Sequence, residues 1–215
     1  MIRVEQLTVK FEKTVLCDVN FELTQNGVYC ITGPSGIGKS TLLNAIAGLI
    51  PYSGRISADG RISYLFQEDR LLPWMNALEN VRLVLKDHFE RAEYYLKKFG
   101  LQEAAGKLPG ELSGGMRRRC ALARCFAYDG NILMLDEPFR GLDEANADIV
   151  REEIKSLAKE RIVLVVTHNP EDIIKLDGAD LHLFFSEISF GSGGLRDHVL
   201  SGIDVLTGII VLCSL

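Results

Sequence analysis

Apolar and polar residues alternate along the first two dozen positions. "IRVEQLTVKF" and "TVLCDVNFEL" put β-branched or apolar residues at nearly every second place, with the polar Glu12-Lys13 between them, so the pattern predicts an antiparallel pair of strands joined by a turn. "GVYCIT" is short, apolar and bounded by glycine, which suits a buried strand. From Lys39 to Leu49 the spacing becomes helical, Pro51 and Gly54 break it, and "GRISYLF" returns to a strand.

From Glu68 to about Asp129 the pattern is helical, in "NALENVRLVLKD", "FERAEYYLKKFG" and "SGGMRRRCALARCFAY". Strand and helix then alternate again: "NILMLDEP", "EANADIVREEIKSLAKE", "RIVLVVTH", "EDIIKL" and "DLHLFF". Two α/β stretches around a helical one predict a mostly parallel sheet, built from residues 1–67 and 130–185, with a helical subdomain of residues 68–129 inserted. The tail, 186–215, contains "FGSGGLRDHV", which reads as a turn or loop, and "IDVLTGIIVLCSL", an apolar end too short to span a bilayer. Packing on the body, a dimer contact and peripheral membrane contact all remain open for it.

Composition narrows the partners. The 215 residues carry a net charge of −5, so broad attraction to nucleic acid or anionic lipid is not expected. Arg117, Arg118 and Arg119 are the strongest local basic cluster. Consecutive helical residues point to different faces, so a solvated helix surface is the reading for them. Five cysteines form no CxxC pair and no metal-ligand spacing, which predicts reduced thiols packed as small apolar residues. "MIRVEQLTVKFEK" has no apolar h-region and no run reaches spanning length, so a cytoplasmic location is expected.

"GPSGIGKST" then stands out, because three glycines and a proline weaken any regular element they join. Gly33, Gly38, Lys39 and Ser40 fit G-x-x-x-x-G-K-[ST] between a predicted strand and a predicted helix. The stretch Gly33, Pro34, Ser35, Gly36, Ile37, Gly38, Lys39, Ser40 and Thr41 would curl so that backbone N–H groups converge on phosphate oxygens at a positive helix end. Lys39 would reach the β- and γ-phosphates, and Ser40 would offer its hydroxyl to Mg²⁺. Such a loop alone leaves GTPases, small-molecule kinases and motor ATPases open.

"ILMLDEP" ends an apolar run in two acids. Asp136, at the strand's C-terminal end, is placed to hold Mg²⁺ through water, and Glu137 to accept a proton from an attacking water. A helix cap or a solvated turn is the alternative for this pair. In "ELSGGMRRR", Ser113, Gly114 and Gly115 open a second glycine-rich helix start without a lysine. It reads either as an ordinary helix cap or as an end that a two-fold dimer sets against the partner's nucleotide.

In this order the motifs make the chain resemble, from its start to about Phe185, the nucleotide-binding subunit of an ATP-binding cassette (ABC) transporter. "GPSGIGKST" resembles the Walker A motif, "LSGGM" the LSGGQ signature and "ILMLDEP" the Walker B motif. Gln67 matches the Q-loop glutamine, "FRGLD" ending at Asp143 the D-loop, and His168 in "VVTHNP" the switch histidine. The resemblance implies that Gln67 senses Mg²⁺ and the γ-phosphate, that His168 holds the γ-phosphate, and that Phe11 stacks on adenine, although a Phe near a strand end is core as often. Met116 stands where the signature usually has glutamine.

"FQEDRLLPWMNALENV" is similar to importer ATPases of the nitrate/sulfonate/taurine group, which implies a coupling contact near Leu71, Leu72, Pro73 and Trp74; burial in the helical subdomain is the alternative. The implied function is Mg-ATP hydrolysis in a dimer, homomeric or paired, on the cytoplasmic face of the membrane. It would drive import through integral membrane permease subunits with a solute-binding protein. The alternatives are an ABC ATPase of a soluble assembly, such as iron–sulfur cluster building, and a P-loop small-molecule kinase.

Overall fold

The computed structural model describes residues 1–187 and 208–214. Strands β1 (Ile2–Lys10) and β2 (Thr14–Leu23) pair antiparallel, as their alternation predicts. A third strand, β4 (Ser53–Ala58), joins the other edge of β1, making a three-stranded sheet where the sequence pattern predicts a pair. "SGRISA" has one large apolar residue, Ile56, so periodicity carries no signal there. Its place comes from backbone pairing with β1, from Ile2 opposite Ala58 to Thr8 opposite Ser53.

The second sheet has six strands, all parallel: β5 (Ile62–Leu65), β6 (Ile132–Asp136), β7 (Ile162–Val166), β3 (Gly27–Thr32), β8 (Ala179–Glu187) and β9 (Gly208–Ser214), in that spatial order. The apolar end of the chain thus contributes an edge strand, while the turn expected in "FGSGGLRDHV" lies outside the described residues.

Alternation along the central strands divides the interior in two. Ile132, Met134, Ile162, Leu164, Val166 and Ile31 face one way, against helix α1 (Lys39–Ile46) and the antiparallel sheet. Leu133, Leu135, Val163, Val165 and Cys30 face the other way. There they meet helices α2 (Ala77–Arg82), α3 (Glu90–Lys98), α4 (Gly114–Ala127) and α5 (Glu144–Ala158). The last helix, α6 (Pro170–Leu176), follows β7. Between β5 and β6 every regular element is a helix or a 3₁₀ turn.

Helix α2 is shorter than "NALENVRLVLKD" suggests; it starts at an Asn76–Glu79 capping box and ends at Leu83. Cys120 and Cys125 are buried in α4, and burial pushes both thiols up to about 12, which fits the reading of cysteine as a small apolar residue. Among the described residues no helix is long and apolar enough to cross a membrane.

Candidate nucleotide site

The loop between β3 and α1 opens at the C-terminal edge of the parallel sheet, where such sheets bind ligands. Helix α1 differs from α2, α4, α5 and α6: those four are capped by the side chains of Asn76, Ser113, Asp143 and Asn169. Helix α1 is preceded by Gly38, with no side-chain cap and no acid in its first turn. Its first amides therefore have no intrachain side-chain acceptor, and the helix dipole makes that end positive. Gly38 has φ 111°, and a Cβ there would meet Leu16 Cδ2 at 2.7 Å, so glycine is needed where the antiparallel sheet presses on the loop.

A cavity of about 260 Å³ lies at this helix end, lined by Ser35, Gly36 and residues 38–41 of the loop together with Gln67, Asp136, Glu137 and Val166. Lys39 points into the loop, donating from Nζ to the carbonyls of Gly33 (2.8 Å) and Pro34 (2.9 Å). Asp136, 2% exposed, is hydrogen-bonded to Ser40; burial, with the charge of Glu137 adding to it, raises its carboxyl above the usual aspartate value. Glu137 has φ 51°, a left-handed backbone at a non-glycine residue. Its N–H donates to the Val166 carbonyl at 2.9 Å, and its Oε2 lies 2.9 Å from His168 Nδ1. Nine of the residues named from sequence thus meet at one place: Ser35, Gly36, Gly38, Lys39, Ser40, Thr41, Gln67, Asp136 and Glu137 line the cavity, and His168 adjoins it through Glu137.

The oxygens of Ser40, Gln67 and Asp136 suit a hard cation. Among the described residues no group of three His, Cys, Asp or Glu side chains could hold a metal, so a cation here would need phosphate or water oxygens to complete its shell. Lys39, Ser40 and the uncapped amides fit a polyphosphate.

Other named residues lie elsewhere. Phe11 is 54% exposed beside the β1–β2 turn, so it is not a core residue, and it does not line the cavity. Ser113 is exposed and caps α4, accepting from the Met116 amide at 3.2 Å. Gly115 lies against the D-loop, where a Cβ would stand 3.1 Å from the Gly141 carbonyl. Asp143 caps α5 by accepting from the Asn146 amide at 2.9 Å. None of Ser113, Gly115 and Asp143 lines the cavity at the α1 end. Trp74 is 70% exposed and Pro73 exposed, whereas Leu71 and Leu72 are half-buried, so the apolar patch is presented rather than enclosed.

The arginine cluster corrects the sequence reading, which makes it a solvated helix surface. Arg117 donates to the Leu112 carbonyl at 2.6 Å. Arg119 donates to the Phe99 carbonyl (2.7 Å) and to Asn146 Oδ1 (3.1 Å). Arg118 is only 2% exposed. The missed signal is that α4 is apolar on most sides, which marks a buried helix and obliges a charge within it to find partners. Also missed is a support behind the switch histidine. Thr167 Oγ1 donates to Asp172 Oδ2, Asp172 Oδ1 accepts from Arg151, both at 2.9 Å, and the guanidinium lies 4.9 Å from the Phe139 ring centroid.

Residues 16–140 match the ABC transporter family. The chain is 39% identical to the taurine import ATP-binding protein TauB of Rhizobium johnstonii, covering 82% of this chain and 76% of that one. It is 41% identical to the aliphatic sulfonates import ATP-binding protein SsuB 1 of Rhodococcus jostii, covering 77% and 71%. Among solved structures it resembles the dimeric bacterial ABC transporter cassette MJ0796, with TM-score 0.79 and 28% identity over 85% of this chain and 94% of that one. The same cassette in a dimeric post-hydrolysis state bound to ADP and Pi gives TM-score 0.78. Motif order, site geometry and these likenesses agree: the chain belongs to the ABC transporter family and carries its ATP-binding cassette.

Proposed function

We propose that the chain is the ATP-hydrolysing subunit of an importer for small sulfonate-type anions. It works as a pair of cassettes beneath membrane permease subunits, on the cytoplasmic face, with a solute-binding protein supplying the anion. The observation that carries the ATPase reading is the convergence of Lys39, Ser40, Gln67, Asp136 and Glu137 on one cavity at an uncapped helix end. The relatives' names, taurine import and aliphatic sulfonates import, support the transported class. The exposed Trp74 beside the Q-loop supports a permease contact there.

In this reading residues 1–67 and 130–185 form the catalytic core, 68–129 the helical subdomain, and 186–215 a tail that adds strand β9 to the edge of the core sheet. Ser40, Asp136 and Gln67 would hold Mg²⁺, which would supply positive charge to the β- and γ-phosphates. The chain does the rest. Backbone amides and Lys39 bind the phosphates, and Glu137 orients a water and accepts its proton. His168, aligned by Glu137, donates to the γ-phosphate. Phe11 stacks on adenine. Ser113, Gly114, Gly115 and Asp143 complete the site of the partner copy, so hydrolysis requires closure of two cassettes.

The test is ATP hydrolysis by purified protein, with sedimentation of the Glu137→Gln variant in ATP. Turnover with an ATP-stabilised dimer is expected; a protein that binds ATP but stays monomeric at every concentration would overturn the paired site. Co-purification with integral membrane proteins separates a transporter from a soluble assembly.

A further inference from the structure

Arg118 is a buried guanidinium whose acceptors come from two segments of the nucleotide site. Its Nη1 donates to the carbonyls of Phe66 (2.8 Å) and Gln67 (3.3 Å) and to Asp69 Oδ1 (3.3 Å). Its Nη2 donates to the carbonyls of Asp136 (2.6 Å) and Glu137 (2.8 Å). One segment carries the Q-loop glutamine and the other the two acids.

The bridge stands where the sheet stops. Strands β5 and β6 pair from Ile62 opposite Ile132 to Leu65 opposite Leu135, and the ladder goes no further. Beyond it, Phe66 and Gln67 are held beside Asp136 and Glu137 by arginines: the exposed Arg140 donates to the Gln67 carbonyl at 2.8 Å, and the buried planar fork of Arg118 alone reaches carbonyls of both segments. Glu137 also needs holding, since a left-handed backbone at a non-glycine residue is strained and persists only where its surroundings over-determine it. Val166 takes its N–H, and its carbonyl accepts from Arg118 at 2.8 Å and from the Arg140 N–H at 3.2 Å.

Arg118 belongs to α4, five residues after Ser113, about 7.5 Å along the helix axis. The helix that presents the signature end therefore also carries the clamp on the catalytic acid. We propose that Arg118 is a positioning residue that makes the aim of Glu137 depend on the seat of α4, so that hydrolysis proceeds only when the signature helix is in register with the core. This rests on the ATPase reading above. It differs from a plain structural anchor in acting on turnover through Glu137 without setting ATP affinity.

The test uses Arg118→Met, Arg118→Lys and Arg118→Gln in the full chain, with ATP affinity measured by a fluorescent analogue and turnover by phosphate release. A misplacement near 1 Å costs about 100-fold in rate, so kcat should fall about 30-fold or more while ATP affinity stays within about threefold. Arg118→Lys keeps the charge but cannot bridge two segments, so it should rescue less than about a third of the lost activity. In a Glu137→Gln background, single-turnover cleavage should fall less than about threefold on adding Arg118→Met, because both changes act through one carboxylate.

Full kcat in Arg118→Lys, a parallel loss of affinity and kcat, or an equal fold-loss in both backgrounds would overturn the proposal. If Arg118→Met fails to fold, the Lys and Gln variants decide it. Absence of Mg-ATPase in the unmodified chain would instead strike the ATPase reading.

Discussion

The N-termini of α1 and α4 are built from similar residues and end in opposite situations. Both open on glycine-rich loops and both offer backbone amides. At α1 the chain supplies everything around the end: Lys39, Ser40, Asp136, Glu137 and Gln67 share one cavity, and no side chain caps the helix. At α4 the cap is filled by Ser113 itself, the end is exposed, and its neighbours are Gly141 and the D-loop rather than any phosphate-binding group of the same chain. A lysine and an acid-bearing strand therefore distinguish the α1 end, and in the paired-cassette proposal the α4 end is completed only by a partner's nucleotide.

Glu137→Gln should have the largest effect on this contrast, because it removes the base from the complete end while leaving its phosphate contacts. Turnover should fall about 1,000-fold with ATP still bound, measured by phosphate release and filter binding. Unimpaired hydrolysis would move the base elsewhere. Lys39→Ala should weaken ATP binding about 100-fold, because it removes a charge-assisted donor to phosphate.

Ser113→Asp sharpens the contrast at the other end. Aspartate caps a helix as well as serine does, so melting should be unchanged, and the chain's own ATP affinity should stay within about threefold. A carboxylate facing a partner's γ-phosphate is repelled, so ATP-dependent dimerisation should be lost and turnover should fall about 30-fold or more. Loss of monomer binding instead would place this end at its own nucleotide.

Met116→Gln should change turnover less than about tenfold. The Met116 amide binds Ser113, while its side chain packs on the interior, so an amide group has no phosphate to reach from there.

The smallest expected effect is on stability. Burial raises the Asp136 carboxyl above its unfolded value, so the native state holds that proton more tightly and loses stability as pH rises through the raised value. At neutral pH the ionised, buried group is a cost. Asp136→Asn should therefore raise the melting temperature of nucleotide-free protein by about 2–4 °C at pH 7, and by less under acid conditions.

Much of this was legible in the sequence because each readable element has its own period or motif. The strands β1, β2, β3, β6 and β7 show as alternation or apolar runs, and the phosphate loop shows as glycine spacing between a strand and a helix. Strand β4 was not legible, since one isoleucine in six residues makes no pattern and neighbouring backbone recruits it. Arg118 was not, because a charge reads as surface until the helix around it is known to be enclosed. The Arg151–Asp172–Thr167 support was not, because its members are brought together by α5 and α6 packing rather than by spacing.

Counting along β6 has a further consequence. Even-numbered Ile132 and Met134 turn toward α1, odd-numbered Leu133 and Leu135 toward the helical layer, and Asp136 continues the even set to meet Ser40. The duties of the two acids are thus assigned by parity. One residue inserted between Leu135 and Asp136 would turn Asp136 away from Ser40 for as long as Ile132 to Leu135 keep their faces, so this strand tolerates substitutions of similar bulk but no added residue in its pleat.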